Sequence, residues 1–207
     1  MPSLMVGFDL DMTLVDSRPG IAAAYRALSA RTGVHVDADA VVSRLGPPLR
    51  TELAHWFPPE RVEEAVAAYR ELYPAYAITP TLPMPGAEAA IEAVHARGGR
   101  VMVVTSKIGR LAKLHLDHLG LAVDELAGDL FAEQKATALR EHGAALYVGD
   151  HVADMVAATT AGIPGVGVAT GPCTQDELRA AGAHTVLDDL SGFPAALDRI
   201  IQLALKG

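Results

Sequence analysis

Four short runs, residues 4–8 (LMVGF), 100–105 (RVMVVT), 144–149 (AALYVG) and 165–169 (GVGVA), are predominantly apolar and rich in valine. Strands covered on both faces read this way, because neither face alternates toward water. A helical pattern follows each run. After the second, Leu111, Leu114 and His118 fall on one face; after the third, HVADMVAATTAG stops at Gly162, a residue suited to a helix C-terminus. TQDE at 174–177 reads as a capping box, in which Thr174 and Glu177 satisfy each other's backbone donors. Phe193, Leu197, Ile200, Ile201 and Leu205 mark a closing helix. Strands alternating with helices predict an α/β chain with an open parallel sheet, right-handed crossovers and a ligand site at the carboxyl ends of the strands.

Residues 17–84 break the rhythm. Val62, Ala65, Val66, Tyr69, Leu72 and Tyr73 define a helix over 61–73, and no buried strand stands out. A single crossover helix needs far fewer residues. The excess reads as an inserted helical domain over 17–84, left through TPTLPMPG (79–86), whose three prolines stiffen the return. Residues 1–16 and 85–207 then form the main domain.

With 207 residues, half of them hydrophobic, the chain can bury one substantial core. A net charge of −8 and the lack of any Lys/Arg run argue against a nucleic-acid polymer as partner. A small phosphorylated metabolite stays open, since a local cation cluster or a metal ion reverses the field within one pocket. Cys173 stands alone, which excludes an internal disulfide and fits a reducing compartment. With no leader-like start and no apolar run of membrane-spanning length, the expectation is a cytoplasmic protein with no membrane partner. Oligomeric state leaves no signal in the pattern.

Candidate chemistry lies where the strands end. Asp9 and Asp11 are two apart, so an extended backbone continuing past Phe8 sends both carboxylates to the same side. The third strand ends in Asp150, with Asp154 one helical turn on. Crowded anions call for a divalent cation or a shared proton, and oxygen ligands from Asp9 and Asp150 suit octahedral Mg2+. The second strand supplies the Thr105 hydroxyl, with the backbone donors of Thr105 and Ser106 available to an anion and Lys107 beside them. Lys135 is a second candidate for the phosphate-binding lysine. Metal, hydroxyl and lysine together would hold a phosphoryl group. Asp9 could then attack phosphorus, forming an aspartyl-phosphate, while Asp11 protonates the leaving alkoxide and later deprotonates water.

DLDMT, VVTSK, the isolated Lys135 and VGDHVAD resemble the four ordered motifs of the haloacid dehalogenase-like superfamily. The resemblance implies a Rossmann-like core with strand order 3-2-1-4-5, Asp9 as nucleophile, Asp11 as acid/base, and Mg2+ held by Asp9, the Asp11 carbonyl and Asp150, with Asp154 in the motif or behind the metal. It also implies a helical cap between the first two motifs, where the excess chain lies. Dehalogenases of the superfamily lack the second aspartate, so Asp11 favours phosphoester chemistry. RLGPPLRTEL (44–53) is similar to the cap loop of phosphoglycolate phosphatase-like and 5'-nucleotidase-like members, which places Pro47 and Arg50 over the substrate. Ala136 follows Lys135 where phosphoglycolate phosphatases usually have proline, so the nucleotidase-like branch stays open, as does a phosphomutase of the β-phosphoglucomutase kind.

Plainer readings compete at several positions. Asp150 could merely cap a helix while Asp154 faces solvent. Asp16 with Ser17 reads as the cap of a helix starting near Pro19. His115 and His118 have no third ligand nearby and read as core or helix surface. Asp37 and Asp39 read as a loop and cap, Trp56 and Phe57 as helical-domain core, and Arg44 as a solvated cation. A non-enzymatic receiver phosphorylated on aspartate needs neither Asp11 nor an insertion.

Overall fold

The computed structural model describes residues 4–204, with side chains described to residue 201; Leu205 of the expected closing helix lies outside that range. In chain order the strands are β1 (Met5–Phe8), β2 (Val15–Asp16), β3 (Leu82–Pro83), β4 (Arg100–Val104), β5 (Glu125–Ala127), β6 (Leu146–Gly149), β7 (Gly165–Val168) and β8 (Ala183–Leu187). The helices are α1 (Arg18–Thr32), α2 (Ala38–Val42), α3 (Leu49–Leu53), α4 (Val62–Tyr76), α5 (Ala87–His95), α6 (Gly109–Leu119), α7 (Glu133–Glu141), α8 (Val152–Ala161), α9 (Gln175–Ala180) and α10 (Phe193–Ala204).

Six strands form one parallel sheet in the order β5-β4-β1-β6-β7-β8, which is the expected 3-2-1-4-5 arrangement with a sixth strand at the far edge. Alternation along β4 sorts the two faces: Val101 and Val103 pack with α5 and α10, whereas Met102 and Val104 pack with α7 and α8. Coverage of both faces is why these strands read as unbroken apolar runs. β5 and β8 lie at the two edges, half-buried, and the polar content of ELA and AHTVL hides them from a search for such runs.

Helices α1 to α4 share a separate apolar cluster built on Ile21, Tyr25, Leu28, Leu53, Phe57, Val66, Tyr69 and Tyr73, with Trp56 half-buried against it. They connect through β2 and β3, a short antiparallel pair. Both capping readings at 174–177 and Gly162 hold. On α6 the buried face is Leu111, Ala112, His115 and Leu116, while Leu114 and His118 are exposed, so the stripe is rotated from the expected one. Asp16 caps α1 by accepting from the Arg18 N–H and pairing with its guanidinium; the Ser17 side chain makes no such bond.

Candidate active site

The end of β1 fixes the first acids. Asp9 still donates its N–H to the Val148 carbonyl, after which the chain leaves the sheet in a tight turn where Leu14 and Val15 both bond the Leu10 carbonyl. Met12 adopts φ +62° inside this turn, and the Thr170 hydroxyl anchors its carbonyl at 2.6 Å. Extended backbone therefore stops before Asp11. Even so, Asp9, Asp11, Asp150 and Asp154 all line one cavity of about 510 Å³ between the carboxyl edge of the sheet and helices α1 to α4.

Asp9 and Asp11 take different lysines. Lys135, buried in the first turn of α7, donates to Asp9 Oδ1 at 3.1 Å and Asp154 Oδ1 at 2.8 Å, and lies 3.1 Å from the Tyr147 hydroxyl. Tyr147 in turn donates to the Val104 carbonyl. Asp154 is not solvated: its Oδ2 accepts from the His151 N–H, and His151, not Asp150, is the N-cap of α8. Asp150 accepts from the buried Thr13 hydroxyl at 2.9 Å. Gly171 packs so close that a Cβ there would overlap Asp150 Oδ2, so only glycine lets the chain pass.

Burial raises the Asp9 carboxyl to about pH 7 despite Lys135, with Asp154 and Asp11 adding to the rise. Burial likewise pushes Asp150 well up, reinforced by Asp154 and Asp9. Ligand oxygens of Asp9, Asp150 and Asp154 lie within 4.8 Å of one another. Four carboxylates against two lysines leave a formal deficit that one divalent cation fills, and the donors are all hard oxygens. Such a cluster could hold a divalent ion. Asp154 belongs to this group even though Lys135 and the His151 N–H each bond one of its oxygens, because a carboxylate oxygen has two lone pairs.

Lys107 holds Asp11. Its ammonium donates to Asp11 Oδ1 and to the Tyr73 hydroxyl, both at 2.6 Å, and lies 3.3 Å from His115 Nε2. Burial works to raise Asp11, but the charge of Lys107 and the groups around it, taken together, outweigh burial and the carboxyl sits below its usual range. His115 is driven down to about 3 by burial and by Lys107, so it is a neutral imidazole.

Thr105 directly follows β4, fully buried, but its N–H donates to the Ala127 carbonyl of β5 and is not free for an anion. The unrecognised edge strand claims it. Its hydroxyl accepts from the Lys107 N–H at 3.2 Å, and Ser106 lines the cavity. Pro47 and Arg50 also line the cavity; Arg50 is exposed and paired with Glu63, and Arg44 is paired with Glu52 at 2.6 Å. The sequence assigns no individual role to Thr13, which closes the DLDMT motif, nor to Tyr73 and Tyr147, which read as parts of a helix face and a buried strand. Only the folded chain brings Thr13 to Asp150, 137 positions away.

The family of haloacid dehalogenase-like hydrolases matches residues 6–159. The probable phosphatase IndB of Dickeya dadantii is 31% identical, over 97% of this chain and 96% of its own. A phosphoglycolate phosphatase of Rhodospirillum rubrum is also 31% identical, over 94% and 92%. Among solved structures, a haloacid dehalogenase-like hydrolase of Streptococcus pneumoniae superposes with a TM-score of 0.82 at 26% identity, over 94% of this chain and 98% of that one. With motif carboxylates converging at the sheet edge and a family match across most of the chain, this protein is an enzyme of the haloacid dehalogenase-like hydrolase family.

Proposed function

We propose that the enzyme is a Mg2+-dependent phosphatase of a small, phosphoglycolate-like phosphomonoester, with Asp9 as nucleophile and residues 17–84 as a cap over the site. The observation that carries this is the separation of Asp9 and Asp11 onto two lysines within one cavity, so that two neighbouring acids are equipped for two tasks. Asp9, Asp150 and the Asp11 carbonyl would hold the Mg2+, which when bound supplies charge neutralisation at the phosphoryl oxygens.

An Asp9 carboxylate oxygen bonds to phosphorus as the bond to the leaving oxygen breaks, giving an aspartyl-phosphate and an alcohol. Lys135 orients Asp9, and Lys107 orients Asp11 toward the leaving oxygen. Asp11 is ionised at rest, which suits it to take a proton from water in the second step. In the first step, its proton comes from the substrate, since a phosphomonoester with a second pKa of about 6 is partly monoanionic near neutrality. Water then attacks the acyl phosphate and releases phosphate and free Asp9. The apolar wall of Ile21, Leu45, Leu49 and Ile108 keeps bulk water from the reacting atoms.

A screen of phosphoglycolate, nucleoside monophosphates, pyrophosphate and sugar phosphates, read by free phosphate, tests the substrate class. Preference for a nucleoside monophosphate would move the reading to the nucleotidase-like branch, and isomerised sugar phosphate without free phosphate would move it to a mutase. Asp9→Asn should cut turnover by more than about 1,000-fold with the circular dichroism unchanged. Turnover at the wild-type rate would end the assignment of Asp9.

A further inference from the structure

We propose that Tyr73 and His115 are positioning residues for Asp11, acting through Lys107; the inference rests on the acid/base reading of Asp11. A lysine carries three rotatable donors on a flexible stem, so it fixes a carboxylate only if it is itself fixed. Here one donor goes to Asp11 Oδ1, a second goes to the Tyr73 hydroxyl, and His115 Nε2 lies 3.3 Å away. Tyr73 is 1% exposed and its ring packs against those of Tyr69 and His115, at centroid distances of 5.4 and 5.6 Å.

The hydrogen bonds run in one direction. Since the Tyr73 oxygen accepts from Lys107, its own proton is free for His115 Nε2, at 2.9 Å. That assigns the imidazole as the Nδ1–H tautomer. Nδ1 is buried without a partner, a cost that a leucine at this position would avoid. The bond to Tyr73 is what the histidine supplies in return. Tyr73 sits on α4, Lys107 after β4 and His115 on α6, so one helix of the proposed cap helps aim a carboxylate on the sheet edge. Asp9 is held by a different lysine, Lys135.

The test separates aiming from folding. Departure of an alkoxide needs the Asp11 proton, whereas p-nitrophenolate leaves as a stable anion; kcat/KM reports this first step. Tyr73→Phe keeps the ring and removes the hydroxyl. It should lower the ratio of kcat/KM for an alkyl phosphomonoester over that for p-nitrophenyl phosphate by about tenfold or more, part of the ~100- to 10,000-fold that a positioned acid supplies. His115→Leu should lower the ratio similarly, and His115→Gln, whose amide oxygen can accept the Tyr73 proton, should restore it. If Tyr73→Phe lowers kcat/KM for both substrates by the same factor, the tyrosine is structural and the proposal fails. Asp11→Asn is the reference. If it leaves the ratio unchanged, the acid/base reading falls and takes this inference with it; if it collapses the ratio and Tyr73→Phe does not, only the inference falls.

Discussion

Asp9 and Asp11, two positions apart, meet opposite fields: burial among Asp154 and Asp11 raises the first, and Lys107 lowers the second. A carboxyl raised in the folded state contributes stability at low pH that is lost as pH rises through its folded value. For Asp9 this window runs from about pH 4 to about pH 7. A divalent cation opposes the loss, since it favours the charged forms of Asp9 and Asp150. Mg2+ at ~100 times its Kd at pH 7 should add about 2.7 kcal/mol there, or about 5–10 °C in Tm, and at that fixed concentration the increment should shrink toward about pH 5, where protons compete for the carboxylates and Kd rises. Asp150→Asn should lose most of it. Equal increments in both proteins, read by thermal scanning, would place the cation elsewhere. Asp9 and Asp150 were legible because each directly follows a strand whose own pattern announces it, and Asp11 and Asp154 by their short spacing from those two. Which lysine meets which acid was not, since the loop after β4 and the start of α7 decide it.

At the level of elements, the strands facing helices on both sides were plain and the edge strands were not. That omission misassigned the Thr105 N–H, which β5 takes. The loop before α3 shows another limit. Gly46 has φ +139°, and a Cβ there would lie 2.9 Å from the His151 ring, the ring that caps α8. The GPPL segment thus rests on the N-terminus of the helix carrying Asp154, a contact between segments 105 positions apart that spacing alone could not reveal. Gly46→Ala adds both strain and overlap, at about 1–3 kcal/mol if the loop stays and less if it lifts away. A lifted loop should raise KM several-fold with kcat less affected. Unchanged KM and Tm would mean that this contact neither holds the loop nor shapes the cavity.

Across the whole molecule, the apolar clusters on the two faces of the sheet and that of helices α1 to α4 flank one cavity lined by acids, and the lack of a buried-strand pattern between 17 and 84 is what set that segment apart in the sequence. The contacts joining them were beyond reach, because they pair residues from distant segments: Tyr73 with His115, Gly46 with His151, Arg70 with Asp129. Arg70 differs from the other cavity arginines described. Arg44 is bound to Glu52 by two hydrogen bonds and Arg50 to Glu63, whereas Arg70 reaches Asp129 only at 3.7 Å, across the mouth between α4 and the loop after β5. A half-exposed pair at that distance contributes about 0–1 kcal/mol, so its guanidinium can turn to a substrate carboxylate at little cost and bind it bidentately. Arg70→Gln should therefore leave Tm nearly unchanged. It should raise KM for a carboxylate-bearing phosphomonoester, relative to one with a neutral tail, by about tenfold, corresponding to about 1.4 kcal/mol. Arg70→Lys, which keeps the charge but not the fork, should recover only part of the difference. A KM ratio unmoved by Arg70→Gln would show that the substrate's distal end is read elsewhere, and would weaken the case for a phosphoglycolate-like substrate while leaving the chemistry at Asp9 intact.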